Sequence, residues 1–129
     1  MKNMYLLFIA FVMFSCTNDT NVGNETCIEF ETAGIEQIEP AVTIDMVGRP
    51  YNVFFRVKNG CGNFASFEET KVGNEYTIKV TAIYDGCICT QDTSLREKIY
   101  VFNETASGTY TLKFIKQDGS AITETIVIE

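Results

Sequence analysis

The sequence contains no histidine, and this absence removes the side chain that titrates near neutral pH and serves most often as general base or metal ligand. Triad hydrolysis through imidazole, imidazole-ligated zinc and cysteine–histidine chemistry are excluded with it. Basic side chains are sparse as well: 10 Lys and Arg stand against 17 Asp and Glu, for a formal net charge of −7, and they form no run. Affinity for a phosphate backbone comes from clustered Lys and Arg, so no nucleic-acid partner is expected. The acidic balance serves solubility more than any particular partner. No segment sustains an apolar period of 3.6 residues, which argues against a helical architecture. Calcium loops need several oxygens converging from closely spaced positions, and no such run exists. Glu68, Glu69, Asp85 and Asp92 read instead as solvated charge at strand ends. No nucleophile has a visible base, so neither catalysis nor a cofactor is expected.

What is present begins with Met1-Lys2-Asn3 and an uncharged apolar run from Met4 to Phe14, ending at Ser15-Cys16. A positive start, an apolar stretch and a small residue before a cut are the three parts of an export signal. The run is far shorter than the roughly 20 residues that span a bilayer. Met13-Phe14-Ser15-Cys16 resembles the lipobox of bacterial lipoproteins: a large aliphatic residue, a variable one, a small one and a cysteine. That resemblance implies that residues 1–15 are a cleaved leader and that Cys16 becomes an N-terminus carrying a diacylglycerol and further palmitate-type acyl chains. It also implies a lipid-anchored protein of the cell envelope, in the outer membrane, on its periplasmic face or at the cell surface. Residues 16–24 follow as a tether rich in turn-forming residues with little to bury.

From residue 25 to 129 the pattern changes to one with a period of two, and the residues form a single domain. In Tyr76-Thr-Ile78-Lys-Val80-Thr-Ala82-Ile-Tyr84 the even positions are apolar and most odd ones polar, as in a strand between core and water. The same alternation runs through Tyr51 to Lys58 and Tyr110 to Phe114. Further strands are expected around Cys27 to Glu31, Ala41 to Met46, Phe64 to Thr70, Lys98 to Phe102 and Ala121 to Ile128. Turn chemistry separates them at Val47-Gly48-Arg49-Pro50, Asn59-Gly60, Gly73-Asn74, Asp85-Gly86, Ser107-Gly108 and Asp118-Gly119. Seven or eight short strands so separated indicate an all-β antiparallel β-sandwich.

Gly108-Thr109-Tyr110, the Asp118-Gly119 turn and the closing strand to Ile128 resemble the last strands of bacterial immunoglobulin-like domains. Arg49 to Gly60 followed by Phe64 is similar to their second and third strands. The resemblance implies an immunoglobulin-like sandwich in which Tyr110, just after Gly108, is a corner tyrosine whose hydroxyl ties back to nearby backbone. It speaks to fold alone, since this architecture hosts many functions.

Four cysteines follow Cys16: Cys27, Cys61, Cys87 and Cys89. An even number in an exported domain is the arithmetic of two disulfides. If Cys87 and Cys89 lie in a strand end, their β-carbons stand roughly 6.5 to 7 Å apart on one face, too far to bond each other. Cys27 and Cys61 then each bond one of the two, in an order the sequence leaves open. The rival is a thiol-based metal or redox site at Cys87-Ile88-Cys89, with thiolates suited to Cu(I); against it stand the missing histidine and a domain whose one methionine is Met46. Phe54, Phe64 and Phe67 do not all fit an inward face by alternation, and either a surface patch or local bulges must account for them. The leading expectation is a non-enzymatic, membrane-anchored binding or structural module with a protein or glycan partner. A protease-inhibitor-like sandwich is a further alternative by fold analogy.

Overall fold

The computed structural model describes residues 26–43 and 47–129. The leader, Cys16, the tether and part of the Ala41–Met46 segment lie outside the described residues. Within them the chain forms eight strands and no helix: β1 (Ile28–Ala33), β2 (Ile35–Pro40), β3 (Arg49–Arg56), β4 (Gly62–Val72), β5 (Glu75–Asp85), β6 (Leu95–Phe102), β7 (Gly108–Ile115) and β8 (Ala121–Ile128). Five of them (β1, β4, β5, β7 and β8) make one sheet, and β2, β3 and β6 make the other. The chain is an all-β sandwich.

β5 is the axis of the larger sheet. β4 pairs along its whole length, from Glu75 to Tyr84. The other edge is divided: β1 covers Val80 to Asp85 and β7 covers Glu75 to Ile78. The division arises because β1 leaves this sheet after Ala33, passes through Gly34 and continues as β2 on the opposite sheet. β7 fills the vacated edge and runs parallel to β5, the one departure from antiparallel pairing among the described strands. Gly34 is buried at the crossing, where its N–H donates to Gln117 Oε1 (3.1 Å) and its carbonyl accepts from Arg56 N–H (3.2 Å). A β-carbon there would lie 2.5 Å from the Gln117 backbone nitrogen, so only glycine lets the two segments approach this closely.

Alternation does the packing. The even residues of β5 from Tyr76 to Tyr84 are all buried, in one core with Leu112 and Phe114 of the same sheet and Val53 and Phe55 of the other, while Lys79 points to water. At roughly 25 cal/mol per Å2 of apolar surface, fully burying each such aliphatic or aromatic chain contributes about 1.5–3 kcal/mol. The buried tyrosines keep their hydroxyls at the rim. Tyr110 is 4% exposed and donates to the Ala106 carbonyl four residues earlier (2.9 Å).

Of the expected strand at Ala41 to Met46, residues 44–46 lie outside the described residues and residues 41–43 have no regular structure; the strand ahead of them is Ile35–Pro40. A bulge masks it in the sequence. Ile35 pairs with Phe55 and Gln37 with Phe54, so Glu36 is an extra residue that sets Ile35 and Ile38 on one face at a spacing of three. Such a spacing is not an alternating signal. A second bulge, between Phe64 and Ser66, turns both Phe64 and Phe67 against the core, with ring centroids 4.8 Å apart. Phe54 alone of the three phenylalanines is on the outward side, half-buried opposite Gln37 and Glu97.

Because Ala106 is exposed, water can satisfy its carbonyl when the phenol is removed. Tyr110→Phe is therefore expected to lower the unfolding free energy by about 0.5–1.5 kcal/mol, and Tyr110→Ala by about 3–5 kcal/mol because the ring contact with Phe102 also goes. Urea titrations with the disulfides intact check both; equal losses would place the value in the hydroxyl alone.

Candidate functional site

The end of the sandwich where β1 begins carries the cysteines and the longest loop between β5 and β6. β5 stops at Asp85 because Gly86 adopts φ +146°, a conformation that side chains with a β-carbon rarely take. A β-carbon there would also stand 2.8 Å from Cys61 Sγ. Cys87 and Cys89 therefore lie in a loop and not at a strand end, so their β-carbons share no strand face. What separates them is their partners. Cys27 bonds Cys87 (Cα–Cα 4.9 Å) and Cys61 bonds Cys89 (Cα–Cα 5.4 Å), the order the sequence left open. With both sulfur pairs closed, the four cysteines present no thiolates to a soft metal.

Hydrogen bonds complete the bracing. Gly86 N–H donates to the Cys27 carbonyl and Gly60 N–H to the Thr90 carbonyl, both at 2.9 Å. Arg96 reaches from β6 to the Gly62 carbonyl (3.0 Å) and to Ser94 Oγ (3.0 Å), and Ser94 in turn donates to Asp92. Asp92 is thus a loop acceptor. Among the described residues no three His, Cys, Asp or Glu side chains are grouped to hold a metal ion.

Beside this end, at the β1–β2 crossing, lies a cleft of about 230 Å3 lined by Glu31, Gly34, Glu36, Arg56, Lys58 and Tyr84 among others. Its cations are matched by carboxylates. Arg56 makes a two-pronged contact with Glu36 (2.5 and 2.8 Å), and Lys58 bridges Glu29 (2.9 Å) and Glu31 (2.6 Å) while lying 4.6 Å from the Tyr84 ring centroid. The hydrogen bond from Arg56 holds Glu36 below the usual carboxylate range, and the Glu31 and Glu29 carboxylates push Lys58 upward. All these pairs are exposed, so each is worth little. Chemically the cleft offers paired charges over an apolar floor.

At the opposite end, Lys71 Nζ (2.7 Å) and the Tyr76 hydroxyl (2.6 Å) both donate to Glu104. Lys71 first and Tyr76 second draw the Glu104 carboxyl down to about 2. Nearby, the Tyr100 hydroxyl donates to Glu69, and burial pushes that phenol upward. Glu68 accepts from Thr81 on the outer face. Gly108 and Tyr110 belong to this far end: a β-carbon on Gly108 would meet the Tyr110 ring at 3.6 Å. None of Lys71, Glu104 or Gln117 was marked by the sequence, since each acts on a residue 28 to 83 positions away.

The family model described as the ORF11 beta-sandwich domain matches residues 52–128, from within β3 to the end of β8. That span holds Cys61, Cys87 and Cys89 but not Cys27. No curated protein and no solved structure matches the chain.

The bridges close loops of different length, 60 residues for Cys27–Cys87 and 28 for Cys61–Cys89. Loop-closure entropy gives about 4.3 and about 3.6 kcal/mol respectively. Replacing Cys27 and Cys87 by Ser should therefore cost more stability than replacing Cys61 and Cys89, as read from urea midpoints; the reverse order would show that native contacts of the Cys61 bridge outweigh chain entropy.

Glu104 supplies a pH dependence. Its folded value lies below the ordinary one, so its stabilisation is fully present above about pH 4.5 and is lost as the pH falls toward 2. Glu104→Gln should flatten the fall of melting temperature across that window and leave the curve above pH 6 parallel to the wild type. An unchanged acid slope would exonerate this carboxylate.

Proposed function

Starting from a chain that belongs to the ORF11 beta-sandwich domain family, we propose that it is a lipid-anchored, non-enzymatic binding or structural module of the cell envelope. The observation that carries this reading is the pair of closed disulfides, Cys27–Cys87 and Cys61–Cys89. Disulfides persist in oxidising compartments outside the cytosol, which agrees with an export signal ahead of Cys16. The Met13-Phe14-Ser15-Cys16 motif supports acylation of Cys16, and two or more acyl chains give stable anchoring where one gives marginal binding. The paired charges of the cleft and the braced loops support a surface that presents itself rigidly and does not transform what it binds. A protein or glycan partner fits this role.

The test is lipid attachment in the full-length protein. Wild type should incorporate a labelled fatty acid and enter the detergent phase on Triton X-114 partition. Cys16→Ala should incorporate no label and move to the aqueous phase. Equal partition of the two proteins would overturn the lipoprotein reading.

A further inference from the structure

Ile88 is 96% exposed, although β-branched aliphatic side chains belong in cores. Its backbone is pinned on both sides, by Cys87 to the residue just ahead of β1 and by Cys89 to the residue just ahead of β4. With both neighbours covalently held, the backbone that presents this exposed side chain is fixed to the domain. Ile88 forms a fixed apolar tip. The same end exposes Ile28 (47%) and Phe30 (62%), which share the outward face of β1 opposite Asp85 and Ile83.

Exposed apolar groups do not by themselves choose an occupant, because the far end also carries Val42, Val47 and Val72 in the open. The attachment of the chain decides between them. The segment from Cys16 enters the domain at Cys27, whose Cα is 4.9 Å from that of Cys87. One further peptide step puts the Ile88 Cα within about 9 Å of the point where the tether arrives. From Cys16 to Cys27 the chain reaches at most about 38 Å, and about 18 Å on average if flexible. A lipid on Cys16 thus holds the bilayer within reach of this end. Lys58 offsets one of the two carboxylate charges of Glu29 and Glu31 beside Ile28, and the remaining one meets no like charge on a bilayer surface without net charge.

We infer that the Cys87-Ile88-Cys89 tip is a membrane-contact element: Ile88, with Ile28 and Phe30 behind it, rests in the interfacial layer of a bilayer. The opposite end, with the β4–β5 turn and residues 103–107, then faces away from the lipid and is free for a partner. The inference rests on acylation of Cys16.

The chain has no tryptophan, so a single Trp reports its own position. Lipidated full-length Ile88→Trp and, separately, Val72→Trp at the β4–β5 turn are reconstituted into vesicles of phosphatidylcholine or of its counterpart brominated on the acyl chains. Intact mass first establishes the lipid on Cys16. Ile88→Trp should shift its emission to the blue on reconstitution and lose most of it in the brominated vesicles, while Val72→Trp keeps its emission in both. Acylated protein with no quenching at position 88, or with equal quenching at 88 and 72, would overturn the contact and leave the lipoprotein reading standing. Absence of lipid on Cys16 would overturn both.

Discussion

The passage of one strand from sheet to sheet at Ala33-Gly34-Ile35 governs much of this sandwich. Gly34 permits it because a β-carbon would collide with Gln117. Once β1 has left, half an edge of β5 is unpaired, and exposed backbone donors and acceptors must find partners. β7 provides them in parallel register, so the chain's last hairpin is locked against a strand far from it in sequence. The same crossing opens the cleft where Arg56 and Lys58 meet the glutamates of β1 and β2. Pairing, hairpin position and cleft follow from a single close backbone approach.

The two ends of the sandwich are closed by different means. One end uses covalent bonds: two disulfides and the Arg96 hydrogen bonds hold the loop from Gly86 to Ser94, which has no regular structure of its own. The other end uses tyrosine hydroxyls, with Tyr76 on Glu104, Tyr100 on Glu69 and Tyr110 on the Ala106 carbonyl. A buried ring with its polar tip at the rim contributes apolar area without stranding a hydroxyl. The covalent end can therefore project an isoleucine into its surroundings, and the tyrosine end is tuned by the ionisation of Glu104.

Legibility in the sequence tracked regularity of the backbone. β3, β5 and β7 keep strict alternation, and their buried residues, Tyr51 to Phe55, Tyr76 to Tyr84 and Tyr110 to Phe114, stand where that alternation places them. β2 was missed and β4 was puzzling for one reason: each carries an inserted residue, Glu36 or Ala65, that changes a spacing of two into a spacing of three. Cys87-Ile88-Cys89, expected at a strand end, lies in the loop that begins where Gly86 turns the chain out of the sheet. For the candidate site, the four domain cysteines were visible as residue types. The cleft and the Glu104 cluster were not, since their members are brought together only by folding.

By itself the sequence determined the class of fold, the turns and the number of bridges, because period-two alternation, Gly- and Asn-rich separators and an even cysteine count are local or compositional properties. It also placed Cys16 at the end of an apolar run. Only the tertiary structure decided that Cys27 pairs with Cys87 and Cys61 with Cys89, that β7 lies parallel to β5, and that Ile88 stands beside the entry of the chain. Each of these depends on which distant segments share an edge or an end of the sandwich. Alternation along one strand records the face a residue occupies, but not the neighbour it meets there.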